Sequence, residues 1–88
     1  MESYRVRLSR SAESVFEKIQ HRDLALADRL LTVFESLKHA PYQGKALSGD
    51  LKGRYSYRVG VYRIIYAVIK ERLIIYVIDI GHRRDIYR

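Results

Sequence analysis

Residues 55–80 hold three strand-like runs, YSYRV, VYRIIYAVI and LIIYVIDI, parted only by Gly60 and by Lys70-Glu71-Arg72. Connections this short cannot carry a chain back to begin a parallel neighbour, which needs a crossover of about a dozen residues or more. They close hairpins instead, so the three runs predict an antiparallel meander. A meander has at least one apolar face that must be covered, and that need governs how the rest of the chain is read.

The cover lies upstream. Tyr4, Val6 and Leu8 alternate with Arg5 and Arg7 over residues 4–8, the pattern of a half-buried strand. Ser9 and Ser11 are candidate N-caps for a helix in which Ala12, Val15, Phe16 and Ile19 recur at helical spacing, fraying near Gln20-His21-Arg22. Asp23 can cap a second helix reaching about His39, with Ala27, Leu30, Leu31, Phe34 and Leu37 as its inner stripe and Pro41 as its stop. The short connection makes the two helices an antiparallel hairpin, and Phe16, Phe34 and the leucines read as core. Residues 41–54, PYQGKALSGDLKGR, carry three of the five glycines and the single proline, and read as loop. At 88 residues there is room for one domain, residues 1–88. The predicted class is α+β in the order β-α-α-β-β-β, a mostly antiparallel twisted sheet with a helical hairpin on one face.

Charge is the compositional feature that bears on function. The chain has 17 Lys and Arg against 10 Asp and Glu, a net charge of +7 and a pI near 9.9. That balance favours a polyanionic partner: nucleic acid, an acidic protein or both. Without cysteine there is neither a disulfide framework nor a thiolate metal site, and His21, His39 and His82 lack ligand spacing. No signal-peptide pattern precedes the first strand, and Lys, Arg or Glu breaks each apolar run before membrane-spanning length. A cytoplasmic protein with no membrane partner is the expectation.

Strand alternation places the cations. Tyr62, Ile64, Tyr66 and Val68 share one face of their strand, and Arg63 shares the other with Val61, Ile65, Ala67 and Ile69. A charge there must reach water, an acid such as Asp79, or an anionic ligand. Arg58 alternates with Tyr57 and Val59, so it can join Arg63 on the uncovered face. Lys45, Lys52 and Arg54 in the long loop, and Arg83, Arg84 and Arg88 in the closing GHRRDIYR, lie on elements that can converge there. Arginine suits bidentate phosphate contact. Tyr55, Tyr57, Tyr62, Tyr66 and Tyr87 can offer stacking surfaces, or pack in the core with a wet hydroxyl.

Several chemistries are excluded. There is no Walker-type loop, no GxGxxG, no pair of catalytic carboxylates and no Cys nucleophile. Ser56, His82 and Asp79 could be assembled into a triad, but no nucleophile elbow surrounds any serine. Asp79 and Asp85 are thin support for a metal-dependent nuclease. Metal-independent RNA cleavage remains, because RNA supplies its own 2′-hydroxyl nucleophile. The protein then needs a proton acceptor, a proton donor and cations for the phosphorane-like transition state. His82 is the side chain near the basic cluster whose ordinary pKa suits proton transfer, and arginines beside Tyr87 would favour its phenolate. Simple RNA binding fits the same residues.

YRVRLSRSAE, KALSGDLKGRYSYRVGVYRIIY and IDIGHRRDIYR together resemble the RelE/ParE toxin superfamily of type II toxin–antitoxin systems, over nearly the whole chain. The resemblance implies the same fold, a compact sheet carrying a helical hairpin. For RelE-like members it implies cleavage of mRNA in the ribosomal A site, leaving a 2′,3′-cyclic phosphate and a 5′-hydroxyl. ParE-like members share the fold and poison DNA gyrase, which is the alternative. The RelE-like motif falls on Arg58, Arg63, Arg83 and Tyr87, with His82 where other members carry Lys or His. A strand lysine of some members falls on Ser56 here, leaving Lys52 or Arg54 to compensate. Implied RNA-binding residues are Lys45, Lys52, Arg54, Arg84 and Arg88; no cofactor or metal is implied. Implied partners are a cognate antitoxin, the ribosome with bound mRNA, and promoter DNA reached through the antitoxin.

Overall fold

The computed structural model describes residues 3–82. Strand β1 (Arg5–Leu8) leads into helices α1 (Arg10–Arg22) and α2 (Leu24–His39). Strands β2 (Lys45–Ala46), β3 (Arg54–Val59), β4 (Tyr62–Ile69) and β5 (Ile74–His82) follow, and the five strands form one sheet in the order β1-β5-β4-β3-β2. The α+β class and the meander stand as expected. Only β1 runs parallel to its neighbour, β5, and the connection between the two is long, holding the helical hairpin and strands β2, β3 and β4.

The helix boundaries follow from local chemistry. Of the two candidate caps at the first helix, Ser9 is the one used: its Oγ accepts from the Ala12 N–H at 3.0 Å. Asp23 closes α1 by donating its N–H to the Ile19 carbonyl, and caps α2 by accepting from the Leu26 N–H at 3.1 Å. The first helix does not fray at residues 20–22, because Asp23 satisfies its last turn as well as starting the next. In α2, Ala27, Leu30, Phe34 and Leu37 are buried as expected, but Leu31 is 49% exposed. Those four buried positions already span the stripe that faces the sheet, and Leu31 falls beside it, on a groove that also touches β1.

The segment 41–54 is more ordered than its glycines suggest. Lys45 and Ala46 pair with Ser56 and Tyr55 to form β2, and residues 49–51 make a 3-10 turn. The buried Tyr66 hydroxyl anchors the segment, donating to the Pro41 carbonyl at 2.8 Å and accepting from the Gly44 N–H at 2.9 Å. Gly44 has to be glycine, since a Cβ there would stand 2.8 Å from that hydroxyl and 2.9 Å from the Ser56 carbonyl oxygen.

The last strand is also longer than expected. Beyond Ile80, Gly81 pairs with Arg63 inside β5, and His82 pairs with Tyr62. Ile65 pairs with Asp79 while Tyr66 pairs with Val77, so Ile78 is an unpaired extra residue, a β-bulge. Continuing the Tyr66–Val77 register without it would put Asp79 opposite Ile64, in the core. The bulge turns Ile80 inward and Asp79 outward.

The hairpin covers one face of the sheet. Ala12, Ile19, Ala27, Leu30, Phe34 and Leu37 pack on Val59, Ile64, Tyr66, Ile75, Val77 and Ile80. Leu30, Leu37, Ile64, Ile75, Val77 and Ile80 are fully buried, each contributing about 1.5–3 kcal/mol by leaving water. Among the described residues the opposite face carries no helix.

Candidate functional site

The uncovered face is built by register. In antiparallel strands, directly paired residues project to the same side. Arg58 pairs with Arg63, Ser56 with Ile65, Arg54 with Ala67 and Lys45 with Ser56. Since Ile64 and Tyr66 lie in the core, the alternate set of Lys45, Arg54, Arg58 and Arg63 shares the other face. Ser56 and Ile65 form its floor, both buried, while Lys45, Arg54 and Arg58 are exposed and Arg63 is half-buried. Gly81, opposite Arg63 on the β5 side, leaves that flank without a side chain.

Two arginines directly opposite one another repel. Each is held by its own acceptor. The Arg63 Nη1 donates to Ser56 Oγ at 3.4 Å, and the Arg58 Nε donates to the Gly60 carbonyl at 3.1 Å. Asp79 does not form the ion pair with Arg63 that the sequence allowed; among the described residues Lys38 forms an ion pair with Glu35 at 3.1 Å, and His39 Nε2 lies 3.8 Å from the same carboxylate. Lys45 sits directly across from Ser56, whereas Arg54 is two residues along the strand and Lys52 lies in the exposed turn beyond the 3-10 segment.

His82 is placed elsewhere. Paired with Tyr62, it presents its ring edge-on to the Tyr62 ring with centroids 5.7 Å apart, on the side of the sheet that packs on the helices. The structure therefore does not bring His82 onto the face of Arg58 and Arg63. The cause is the bulge at Ile78, which shifts by one the alternation of everything after it. Arg83, Arg84, Tyr87 and Arg88 lie outside the described residues.

The tyrosines divide similarly. Tyr66 is in the core, and Tyr55, Tyr57 and Tyr62 are half-buried against it, which removes them as open stacking platforms. Tyr55 stacks on Tyr66 at 5.5 Å and meets Tyr42 edge-on at 5.6 Å. Burial pushes the Tyr66 phenol up; the Gly44 N–H opposes this and the neighbouring Tyr55 and Tyr57 reinforce it. Tyr66 is thus a neutral strut rather than a proton carrier. Tyr76, paired with Ala67, is the tyrosine of the described strands that faces the open side.

Two features escape a reading of the sequence. Lys45 falls in what reads as loop, and only its pairing with Ser56 sets its direction. Arg29 on α2 reaches the β3–β4 turn at Gly60, which no helical periodicity signals. Among the described residues no group of three or more His, Asp or Glu is placed to hold a metal ion. No helix among them is long and apolar enough to cross a membrane. The arrangement is suited to holding a phosphate on a cationic, half-walled sheet face.

Known proteins share this fold and part of the sequence. The family model described as "ParE toxin of type II toxin-antitoxin system, parDE" matches residues 6–87. Toxin RelG of Mycobacterium tuberculosis is 34% identical over 86 residues, covering 97% of both chains. A chain of the RelBE2 toxin–antitoxin complex from the same organism superposes with a TM-score of 0.79 at 25% identity, covering 92% of this chain and 99% of that one. The YoeB/ParE toxin from Agrobacterium tumefaciens gives a TM-score of 0.81 at 22% identity, over 89% and 96% of the two chains. With its order of elements, its sheet and its matched length all in agreement, the chain belongs to the RelE/ParE family of toxins of type II toxin–antitoxin systems.

Proposed function

We propose that this toxin is a metal-independent endoribonuclease that cleaves mRNA on the ribosome and is held in check by a cognate antitoxin. The carrying observation is the Arg58–Arg63 pair, two arginines directly opposite one another on the sheet face away from the helices, with Arg58 hydrogen-bonded to the Gly60 carbonyl and Arg63 to Ser56 Oγ. Like charges so placed are costly alone and become favourable when a phosphate bridges them.

The reaction draws its nucleophile from the substrate. The 2′-oxygen forms a bond to the adjacent phosphorus, the bond to the 5′-oxygen breaks, and the products are a 2′,3′-cyclic phosphate and a 5′-hydroxyl. Arg63 and Arg58 offset the charge that grows on the non-bridging oxygens. Arg83 adds a third cation. Tyr87 is the group that exchanges protons with the 2′-hydroxyl and the leaving oxygen. His82 is the secondary candidate for that exchange; its position beside Tyr62 leaves it facing the helix side. Lys45, Lys52, Arg54, Arg84 and Arg88 carry the strand on either side, and the antitoxin links the complex to promoter DNA. The site of action on this reading is the cytoplasm, where ribosomes lie.

Little in the fold is a strong base, so the ribosome must supply positioning and free RNA is a poor substrate. Incubation with mRNA-programmed ribosomes, beside a gyrase supercoiling assay, is the test. Cleavage of the mRNA in the ribosomal A site, leaving 5′-hydroxyl ends, is expected. Inhibited supercoiling with intact mRNA would instead make the protein a gyrase poison.

A further inference from the structure

The β3–β4 turn gathers a second arginine that the proposed chemistry does not use. Gly60 adopts φ +63°, and a Cβ there would stand 3.4 Å from Nη1 and 4.0 Å from Nη2 of Arg29. The guanidinium of this α2 residue therefore lies against the turn. On the same turn, the Arg58 Nε is bound to the Gly60 carbonyl at 3.1 Å. Between them opens a cleft of about 340 Å³, lined also by Asp28, Thr32 and Tyr57. Among the described residues neither arginine forms an ion pair with a carboxylate, and Asp28 leaves the cleft with one acid against two cations.

Two guanidinium groups over one turn, neither of them ion-paired to the single acid of the cleft, repel unless an anion joins them. The turn keeps them in place: a positive-φ glycine makes it tight, and its missing side chain leaves Arg29 room to approach. Nothing closes the cleft from the sheet side. Strand β2 pairs only with Tyr55 and Ser56, so among the described residues no strand lies beyond Tyr57–Val59. Arg63, Arg58 and Arg29 thus follow one another from the open face around the sheet rim.

We propose that Arg29 and Arg58 form a phosphate clamp across the Gly60 turn, which binds a backbone phosphate of the RNA strand next to the scissile one at Arg63. The clamp rests on the nuclease reading for its ligand and adds a contact outside the reacting centre. Arg29 is a binding residue here, and its guanidinium hands the strand over the rim toward α2.

The test is binding of a single-stranded RNA of about 12 nucleotides, within the usual range of site sizes and 2′-O-methylated so that it cannot be cleaved. Fluorescence anisotropy is followed across a salt series for the parent, Arg29→Ala and Arg72→Ala. The last removes an equal charge from the β4–β5 turn, at the far end of β4. Arg29→Ala should bind about 3- to 10-fold more weakly and lose about 0.7 from the slope of log affinity against log salt, one phosphate contact on a single strand. Arg72→Ala should stay within about 2-fold of the parent if the loss is local. Arg29 is exposed, and circular dichroism should show the variant folded. Unchanged affinity and slope in Arg29→Ala would overturn the clamp, as would equal losses in both variants. So would weakened antitoxin binding with RNA affinity intact, which would give the cleft to the protein partner. A parent protein that binds this RNA through Arg29 yet leaves ribosome-bound mRNA whole would sink the nuclease reading and leave the clamp standing.

Discussion

Ser9 Oγ donates a 2.6 Å hydrogen bond to the Ile78 carbonyl, joining residues 69 apart in sequence. The same oxygen accepts the Ala12 N–H as the cap of α1, and the Ser9 N–H donates to the Val77 carbonyl at 2.9 Å. One small side chain thus starts the first helix and ties it to the bulge that sets the phase of the end of β5. Replacing it removes both functions. Ser9→Ala is expected to cost about 1–3 kcal/mol, the sum of a lost cap and a carbonyl left short of a partner. In a domain of this size each kcal/mol lowers the melting temperature by about 4–8 °C. Ser11→Ala, at the exposed neighbouring position, should shift stability by no more than about 0.5 kcal/mol. Equal losses in the two variants would show that Ser9 has no special part.

Arg63→Ala is expected to lower single-turnover cleavage of ribosome-bound mRNA by about 10²-fold, the usual loss for one transition-state donor. Ribosome affinity should fall much less, because Lys45, Arg54 and Arg58 remain on the same face. A rate near the parent's would take Arg63 out of the active site.

A chain ending at His82 keeps every core residue that is buried among the described residues, which lie between Ala12 and Ile80, and keeps the pairing of Gly81 and His82 with β4. It should melt cooperatively and bind its antitoxin, yet fail to cleave, having lost Arg83 and Tyr87. Circular dichroism, an antitoxin pull-down and the ribosome assay read the three properties separately. A folded truncation that still cleaves would clear both residues of a catalytic part.

Tyr66 makes stability depend on alkaline pH. Its folded pKa lies above the unfolded value of 10.0, so the folded state holds the phenolic proton longer than the unfolded chain does. The resulting stability is fully present below pH 10 and drains away as pH rises from there through the folded pKa. Tyr66→Phe should be less stable by about 1–3 kcal/mol at pH 8, leaving Pro41 and Gly44 without their partner. Between pH 9 and 11 it should lose less than the parent does. Parallel slopes for the two proteins in denaturant melts across that range would contradict this.

The meander, the helical hairpin and the caps were legible because each rests on local chemistry: period-two and helical spacing, short turns, and Ser9 and Asp23 where orphan N–H groups need acceptors. The same alternation correctly put Arg58 and Arg63 on one face, since between them the strand pair runs without interruption. What the sequence could not carry was the bulge. Nothing in LIIYVIDI marks Ile78 as the extra residue, and by simple alternation Ile78 and Ile80 would share a face with His82. The bulge is settled by contacts from elsewhere: Ser9 takes the Ile78 carbonyl, and the core takes Val77 and Ile80 while Asp79 stays outside. That one-residue slip carries His82 to Tyr62 and away from the arginines. The direction of Lys45 and the reach of Arg29 escaped for the same reason. They are set by Tyr66 holding the 41–44 segment and by the approach of α2 to the Gly60 turn, and both arise only when distant parts of the chain pack together.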